Sequence, residues 1–177
     1  MRVIGGEFRS RRLKTPSGDE VRPTPDRLRE ALFNVLAPRI ADVVFLDAYA
    51  GCGSVGIEAL SRGARRAIFL EKSRPALRCL HENIAMLQLE PRSEVHAGPA
   101  APVITKYGAD IVFLDPPYPR EREYGLCLER LGEVPPPLVI VQHASKFTHL
   151  LKEQFGALRR VRFMSQGENS PSFFEPR

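Results

Sequence analysis

The sequence predicts an α/β domain built on a doubly wound, mostly parallel sheet with helices on both faces. Four short runs, residues 43–46, 67–70, 111–114 and 138–141, are apolar at every position. Strands buried on both faces read this way. Between them lie segments with apolar residues at helical spacing, and such alternation feeds parallel strands. The 177 residues are 43% apolar and 27% charged, enough for one core and too apolar for disorder.

The elements follow in order. Residues 1–22 mix short β-prone pieces with glycine and basic side chains, an N-terminal appendage to a domain over 23–177. Thr24, Pro25 and Asp26 start a helix: a hydroxyl N-cap, proline in the first turn, then an acid near the positive end of the dipole. Leu28, Ala31, Leu32, Val35 and Leu36 give it one apolar face, and Pro38 closes it. The first strand ends at Asp47, and a glycine-rich turn leads into a helix from about Ser54 to Arg62. A second strand ends at Glu71; Ser73 caps the next helix, buried through Leu77, Leu80, Ile84 and Leu87. Strands at 111–115 and 138–141 follow, and residues 121–132 and 146–155 are expected as helices.

Charge is uneven. Lys and Arg exceed Asp and Glu by 26 − 21 = 5, and Arg2, Arg9, Arg11, Arg12 and Lys14 meet a single acid, Glu7, in the first 14 residues. Such a segment suits an anionic partner through phosphate attraction and counterion release, or serves solubility alone. Cys52, Cys79 and Cys127 form no CxxC pair, and His81, His96, His143 and His149 have no metal spacing, so no metal site is expected. Cys52 is read as a small packing residue. No apolar run reaches a membrane span and no secretory signal is visible, so a cytoplasmic protein is expected. Residues 159–162, Arg-Arg-Val-Arg, are either a second phosphate-contact stripe or an edge strand guarded by charge.

The turn Asp47-Ala48-Tyr49-Ala50-Gly51-Cys52-Gly53-Ser54-Val55-Gly56 carries G-x-G-x-x-G, with Glu71 placed 20 residues past Gly51. Glycines let backbone approach a ligand closely at a helix N-terminus. A nicotinamide dinucleotide fits that pattern, with its ribose on Glu71. Asp47 argues against it, since a carboxylate beside the turn repels a pyrophosphate at short range. The same carboxylate attracts an ammonium or sulfonium. S-adenosylmethionine carries both, plus a ribose diol for Glu71.

Asp115-Pro116-Pro117-Tyr118 follows a buried strand directly, on the sheet rim where α/β ligands bind. Two prolines hold the strand exit rigid and turn a carbonyl outward. A carboxylate and a fixed carbonyl match the two hydrogens of an exocyclic amine, and Tyr118 offers a stacking face for an extruded base. Bonding both N–H groups frees the amine lone pair for a methyl donor, by positioning and electrostatics.

Together these residues closely resemble Rossmann-like, S-adenosylmethionine-dependent class I methyltransferases acting on exocyclic amines. More narrowly, the chain is similar to the bacterial small-subunit rRNA methyltransferase D type, which methylates guanine N2 in 16S rRNA. The likeness rests on Arg2-Val3-Ile4-Gly5-Gly6, residues 9–13, the Arg22-Pro23-Thr24-Pro25-Asp26-Arg27 block running to Asn34, residues 46–64 and 115–118. It implies a mostly parallel seven-stranded sheet. It implies further that Asp47, Ala48, Gly51, Gly53, Glu71 and Lys72 hold the cofactor, and that Asp115, Pro116, Pro117 and Tyr118 hold the base. Arg9, Arg11, Arg12, Lys14, Arg22 and Arg27 would contact RNA, presented on an assembling small ribosomal subunit to a monomeric enzyme. Three positions depart from the family pattern. Pro99 stands where an Asp or Asn usually reads the adenine, Gln142 stands where a strand usually ends in glutamate, and the tail 166–177 lacks the usual Tyr-Gly…Tyr pattern.

Two alternatives share these motifs. An adenine-N6 methyltransferase also uses D-P-P-Y, but normally carries a target-recognition domain for which 177 residues leave no room. A non-catalytic RNA-binding assembly factor on the same fold would be favoured by loss of Asp115 or the glycines, and both are present.

Overall fold

The computed structural model describes residues 1–16, 25–117, 121–165 and 167–177. The first helix, α1 (Asp26–Leu36), buries Leu28, Leu32, Phe33 and Leu36 along one face. Each such side chain, fully buried, contributes about 1.5–3 kcal/mol. Thr24, its expected cap, lies outside the described residues, as do Arg22 and Tyr118. Then come β1 (Val44–Asp47), α2 (Ser54–Ser61), β2 (Arg66–Glu71), α3 (Arg74–Met86), β3 (Ser93–Ala97) and β4 (Ile111–Leu114). The chain continues with α4 (Glu121–Glu133), β5 (Leu138–Ala144), β6 (Gln154–Phe155), β7 (Leu158–Phe163) and β8 (Asn169–Pro176).

Over the described residues the sheet has eight strands in the order β3-β2-β1-β4-β5-β8-β7-β6. The expected seven become eight because β6 adds a two-residue pairing, Gln154 with Arg159 and Phe155 with Leu158. β3, β2, β1, β4 and β5 pair in parallel, and β8 returns antiparallel beside β5. Strand order reverses between β1 and β4, which opens a crevice at their carboxyl ends. Alternate residues of each run serve opposite layers. Leu46, Val112 and Val139 meet Cys127, Leu128 and Leu131 of α4. Phe45, Phe113 and Ile140 pack against α1 on the other face.

Residues 146–155 are not the expected helix. A 3-10 turn over Ser145–Leu150 leads instead to β6. Phe147, Leu151 and Phe155 are spaced four apart, as on a helix, but Gly156 at φ 54° permits a two-residue hairpin that draws Phe155 into the sheet. The tail supplies β8, whose Phe173 and Phe174 are buried on opposite faces. On its β6 side β7 is paired through Leu158 and Arg159, and Arg160 N–H donates to Glu153 O at 2.8 Å. Beyond Arg160 no β6 pairing occurs among the described residues, so the second half of the Arg-Arg-Val-Arg stretch is a bulged edge strand.

The basic N-terminal segment is folded. Arg2 bridges Arg12, with Val3 N–H donating to Arg11 O at 2.9 Å and Leu13 N–H to Met1 O at 3.0 Å. Val3 and Leu13 sink into the core beside α2 and α3. The buried Glu58 carboxylate accepts from Ile4 and Gly5 N–H, each at 2.8 Å, and Asn83 brackets the Lys14 peptide from both sides.

Candidate active site

The site is assembled at strand tips. Asp47 ends β1, Glu71 ends β2, Asp115 follows β4, and Gln142 and His143 lie near the end of β5. These five side chains line one cleft of about 740 Å³, with Lys72, Gly98, Pro99, Pro116 and Pro117 on its walls. A volume of that order holds a nucleoside-sized ligand with room beside it.

Three glycines shape the turn below the cleft. Gly53 sits at φ 87°, where a Cβ would come 2.4 Å from Leu80 Cδ1. At Gly56 a Cβ would strike the Phe69 ring at 2.3 Å, so glycine lets α2 lie close on β2. Gly51, at φ 56°, donates its N–H to Glu71 Oε2 at 2.7 Å.

Asp47 is 1% exposed, and its Oδ2 accepts from Gly56 N–H at 3.0 Å, inside the first turn of α2. It therefore caps the helix through space. Burial pushes its carboxyl up to about 7, the Gly56 N–H opposes this, and the charges of Asp115 and Glu71 add to the rise. A buried acid ringed by acids is poised to take a cation.

Glu71 is more committed than the sequence implies. Besides Gly51, its Oε1 accepts from Lys72 N–H at 2.8 Å and Ser73 N–H at 2.7 Å. This carboxylate ties down the turn that leads into α3; Ser73 occupies the N-cap position, but its hydroxyl makes no cap bond. A carboxylate has about four acceptor sites, so one remains for a ribose hydroxyl.

On the other wall, Asp115 is half-buried and Pro116 buried. Gln142 Nε2 donates to Asp115 Oδ2 at 2.9 Å, and Tyr124 Oη donates to the Gln142 carbonyl at 3.0 Å. Sequence reasoning noticed Gln142 only as a departure and missed both contacts. Its place at the β5 tip was the available signal. His143 is buried and its pKa lowered, burial being the largest cause. Its Nε2 lies 2.9 Å from Ser172 Oγ.

Cys52 is buried, its thiol pushed up by burial, as suits a packing residue. Arg9, Arg11, Arg12 and Arg27 are exposed, and Lys14 is exposed while pairing with Glu82 at 2.8 Å. Met1 lines the cleft, so the basic hairpin begins at its rim. Among the described residues no cluster suited to a metal ion occurs, and no helix is long and apolar enough to cross a membrane.

A family model described as conserved hypothetical protein 95 matches residues 1–175. The chain belongs to that family. Ribosomal RNA small subunit methyltransferase D of Escherichia coli K12 is 43% identical over 122 residues, which are 68% of this chain and 61% of that relative. Its namesake from Haemophilus influenzae is 37% identical over 123 residues, 67% of this chain and 64% of the other. The match thus spans under two thirds of the length of these relatives. Among solved structures, a hypothetical protein of Thermus thermophilus, TTHA0928, aligns with a TM-score of 0.80 at 31% identity, over 99% of both chains. The T. thermophilus 16S rRNA N2 G1207 methyltransferase RsmC, solved with AdoMet and guanosine, gives 0.71 at 21% identity, over 91% of this chain and 45% of that one. That last likeness concerns the fold alone. The chain has the Rossmann-like methyltransferase fold the sequence led us to expect.

Proposed function

We propose that this chain transfers a methyl group to the exocyclic N2 amine of a guanine in 16S rRNA: its relatives' names give methylation of small-subunit rRNA, and the chemistry of the Asp115-Pro116-Pro117-Tyr118 motif gives the exocyclic amine. The cofactor is S-adenosyl-L-methionine. Bound in the cleft, it supplies an electrophilic methyl on a sulfonium. The observation that carries the reading is the opening of the Asp115-Pro116-Pro117 tip onto the cleft that Asp47 and Glu71 line.

Each wall has its task. Asp47 faces the cation, Glu71 offers its remaining acceptor site to the ribose, and Ala48, Gly51, Gly53 and Lys72 frame the turn. Pro99 has no side-chain donor or acceptor, so the adenine is left to backbone groups near Gly98 and Ala100, which line the same cleft. Opposite, the Asp115 carboxylate and the Pro116 carbonyl accept the two amine hydrogens, which localises the nitrogen lone pair. Tyr118 follows them in sequence as the stacking surface for the base. Arg9, Arg11, Arg12, Lys14, Arg22 and Arg27 meet RNA phosphates, and the hairpin's position at the cleft rim would bring an RNA backbone there.

The test is methylation of free 16S RNA and of small-subunit particles from cells lacking this protein, read by nucleoside mass spectrometry. N2-methylguanosine is expected, and its absence, or N6-methyladenosine in its place, would refute the reading. RNA carrying inosine at the target lacks the 2-amino group and should bind without accepting methyl.

A further inference from the structure

Gln142 is 4% exposed and lines the base side of the cleft. Its amide is not arranged for its own satisfaction. Nε2 donates to Asp115 Oδ2 at 2.9 Å, while Oε1 is buried without a hydrogen-bond partner. Buried polar atoms are nearly always partnered, and the exceptions gather at functional sites. The backbone carrying this amide is fixed from α4, where Tyr124 Oη donates to the Gln142 carbonyl. The opposite flip of the amide would set its oxygen against a carboxylate, so Asp115 itself selects the orientation seen.

We propose that Gln142 is a positioning residue for methyl transfer: its amide holds the Asp115 carboxylate in one orientation as an acceptor for the incoming amine. The inference rests on the guanine-N2 reading above. An acceptor that must take an N–H at a set angle gains from being held, since small misplacements cost rate steeply. The amide also favours the ionised carboxylate, against the other acids in the cleft. These are Asp47 from β1, Glu71 from β2 and Glu123 from α4, with Lys72, His143, the Tyr49 and Tyr124 phenols, the Cys52 thiol and the Met1 amine as the remaining titratable groups of its lining. A glutamate in Gln142's place could donate to Asp115 only while the two carboxyls share a proton.

Two variants test this, with titration of the Asp115 carboxylate followed by carbon-13 NMR beside steady-state kinetics on the RNA. Gln142→Leu should raise the Asp115 titration midpoint and lower kcat by roughly tenfold to a hundredfold, leaving KM and cofactor affinity near wild type. Gln142→Glu should be active at low pH and lose activity as pH rises through the pair's upper titration, a limb that wild type lacks. An active wild type with an unmoved midpoint in Gln142→Leu, or with unchanged kcat in both variants, would overturn the inference alone. Wild-type protein inert on every RNA would overturn the reading beneath it, and Gln142's part in transfer with it.

Discussion

Replacing Asp47 by Asn separates what this carboxyl does for the fold from what it does for the ligand. In the folded protein its pKa is pushed up to about 7 from 3.8, with burial as the largest cause. An acid raised in this way stabilises the fold fully only below its unfolded pKa, and that contribution is lost as pH rises through the folded value. Between pH 5 and pH 8 the folded group must give up its proton over about two pH units, which is roughly 3 kcal/mol at 1.36 kcal/mol per unit. Asparagine does not titrate. Urea melts should therefore show Asp47→Asn gaining roughly 3 kcal/mol on wild type between pH 5 and pH 8. A fixed offset will accompany this gain, because Asp47 takes backbone N–H groups from both Gly56 and Tyr49, and an amide can accept only one side. Comparing two pH values cancels that offset. Calorimetry with S-adenosylmethionine should move the other way, with affinity falling roughly tenfold to a hundredfold in the variant. Wild-type affinity should itself weaken below pH 7, by about a hundredfold at pH 5 if only the ionised form binds. A stability difference that stays flat from pH 5 to pH 8, or equal affinity in the two proteins, would refute the reasoning.

Asp115→Ala should lower methyl transfer by about 10²–10³ with cofactor affinity nearly intact; full activity by a radiolabelled-methyl assay would remove Asp115 from the mechanism. Glu71→Ala should lower both cofactor affinity and the melting temperature, because Gly51, Lys72 and Ser73 lose their acceptor; an unchanged melt would contradict its part in holding these two turns. Replacing Arg9, Arg11 and Arg12 with Gln should flatten the salt dependence of RNA binding by roughly one unit per lost phosphate contact, and identical slopes would reduce the hairpin to a solubility feature. Tyr118→Ala should weaken base binding by about 1–3 kcal/mol in filter assays while Tyr118→Phe stays near wild type, and equal losses would point away from stacking.

Four of the five parallel strands were legible because they are buried on both faces, which leaves unbroken apolar runs at β1, β2, β4 and β5, whereas the half-exposed β3, Ser93–Ala97, has no such run and was not read as an element. That Asp47, Gly51 and Glu71 meet in one cleft was legible for a related reason, since glycines mark close backbone approach and the two acids stand at the tips of neighbouring parallel strands. The final third was harder. Only Phe155 and Leu158 tie the β6–β7 hairpin into the core, and a two-residue strand has no periodicity to read. Hydrogen bonds between distant side chains leave no local pattern at all, which is why Gln142 holding Asp115 across 27 positions went unseen. Glu58, fully buried on α2, likewise looks like an ordinary helix acid until the peptide bonds of Ile4 and Gly5 arrive at its oxygens.

That docking makes the first fourteen residues an internal part of the molecule's stability. Arg29 is wholly buried and reaches the Arg2 carbonyl at 2.7 Å and the Ser54 carbonyl at 3.4 Å. Asn83 joins Lys14 to the Cys52 carbonyl at 3.0 Å. Removing the hairpin would take peptide partners from Glu58, Arg29 and Asn83 at once. Arg62 would still pair with Glu58 and Asp26 with Arg29, each at 2.7 Å, so the loss falls on the hydrogen bonds and the burial that the hairpin supplies. The basic hairpin proposed to meet RNA thus cannot drift independently of the cleft beside it. A substitution that loosens the hairpin would surface first as lower protein abundance in the cell, and only afterwards as altered RNA affinity.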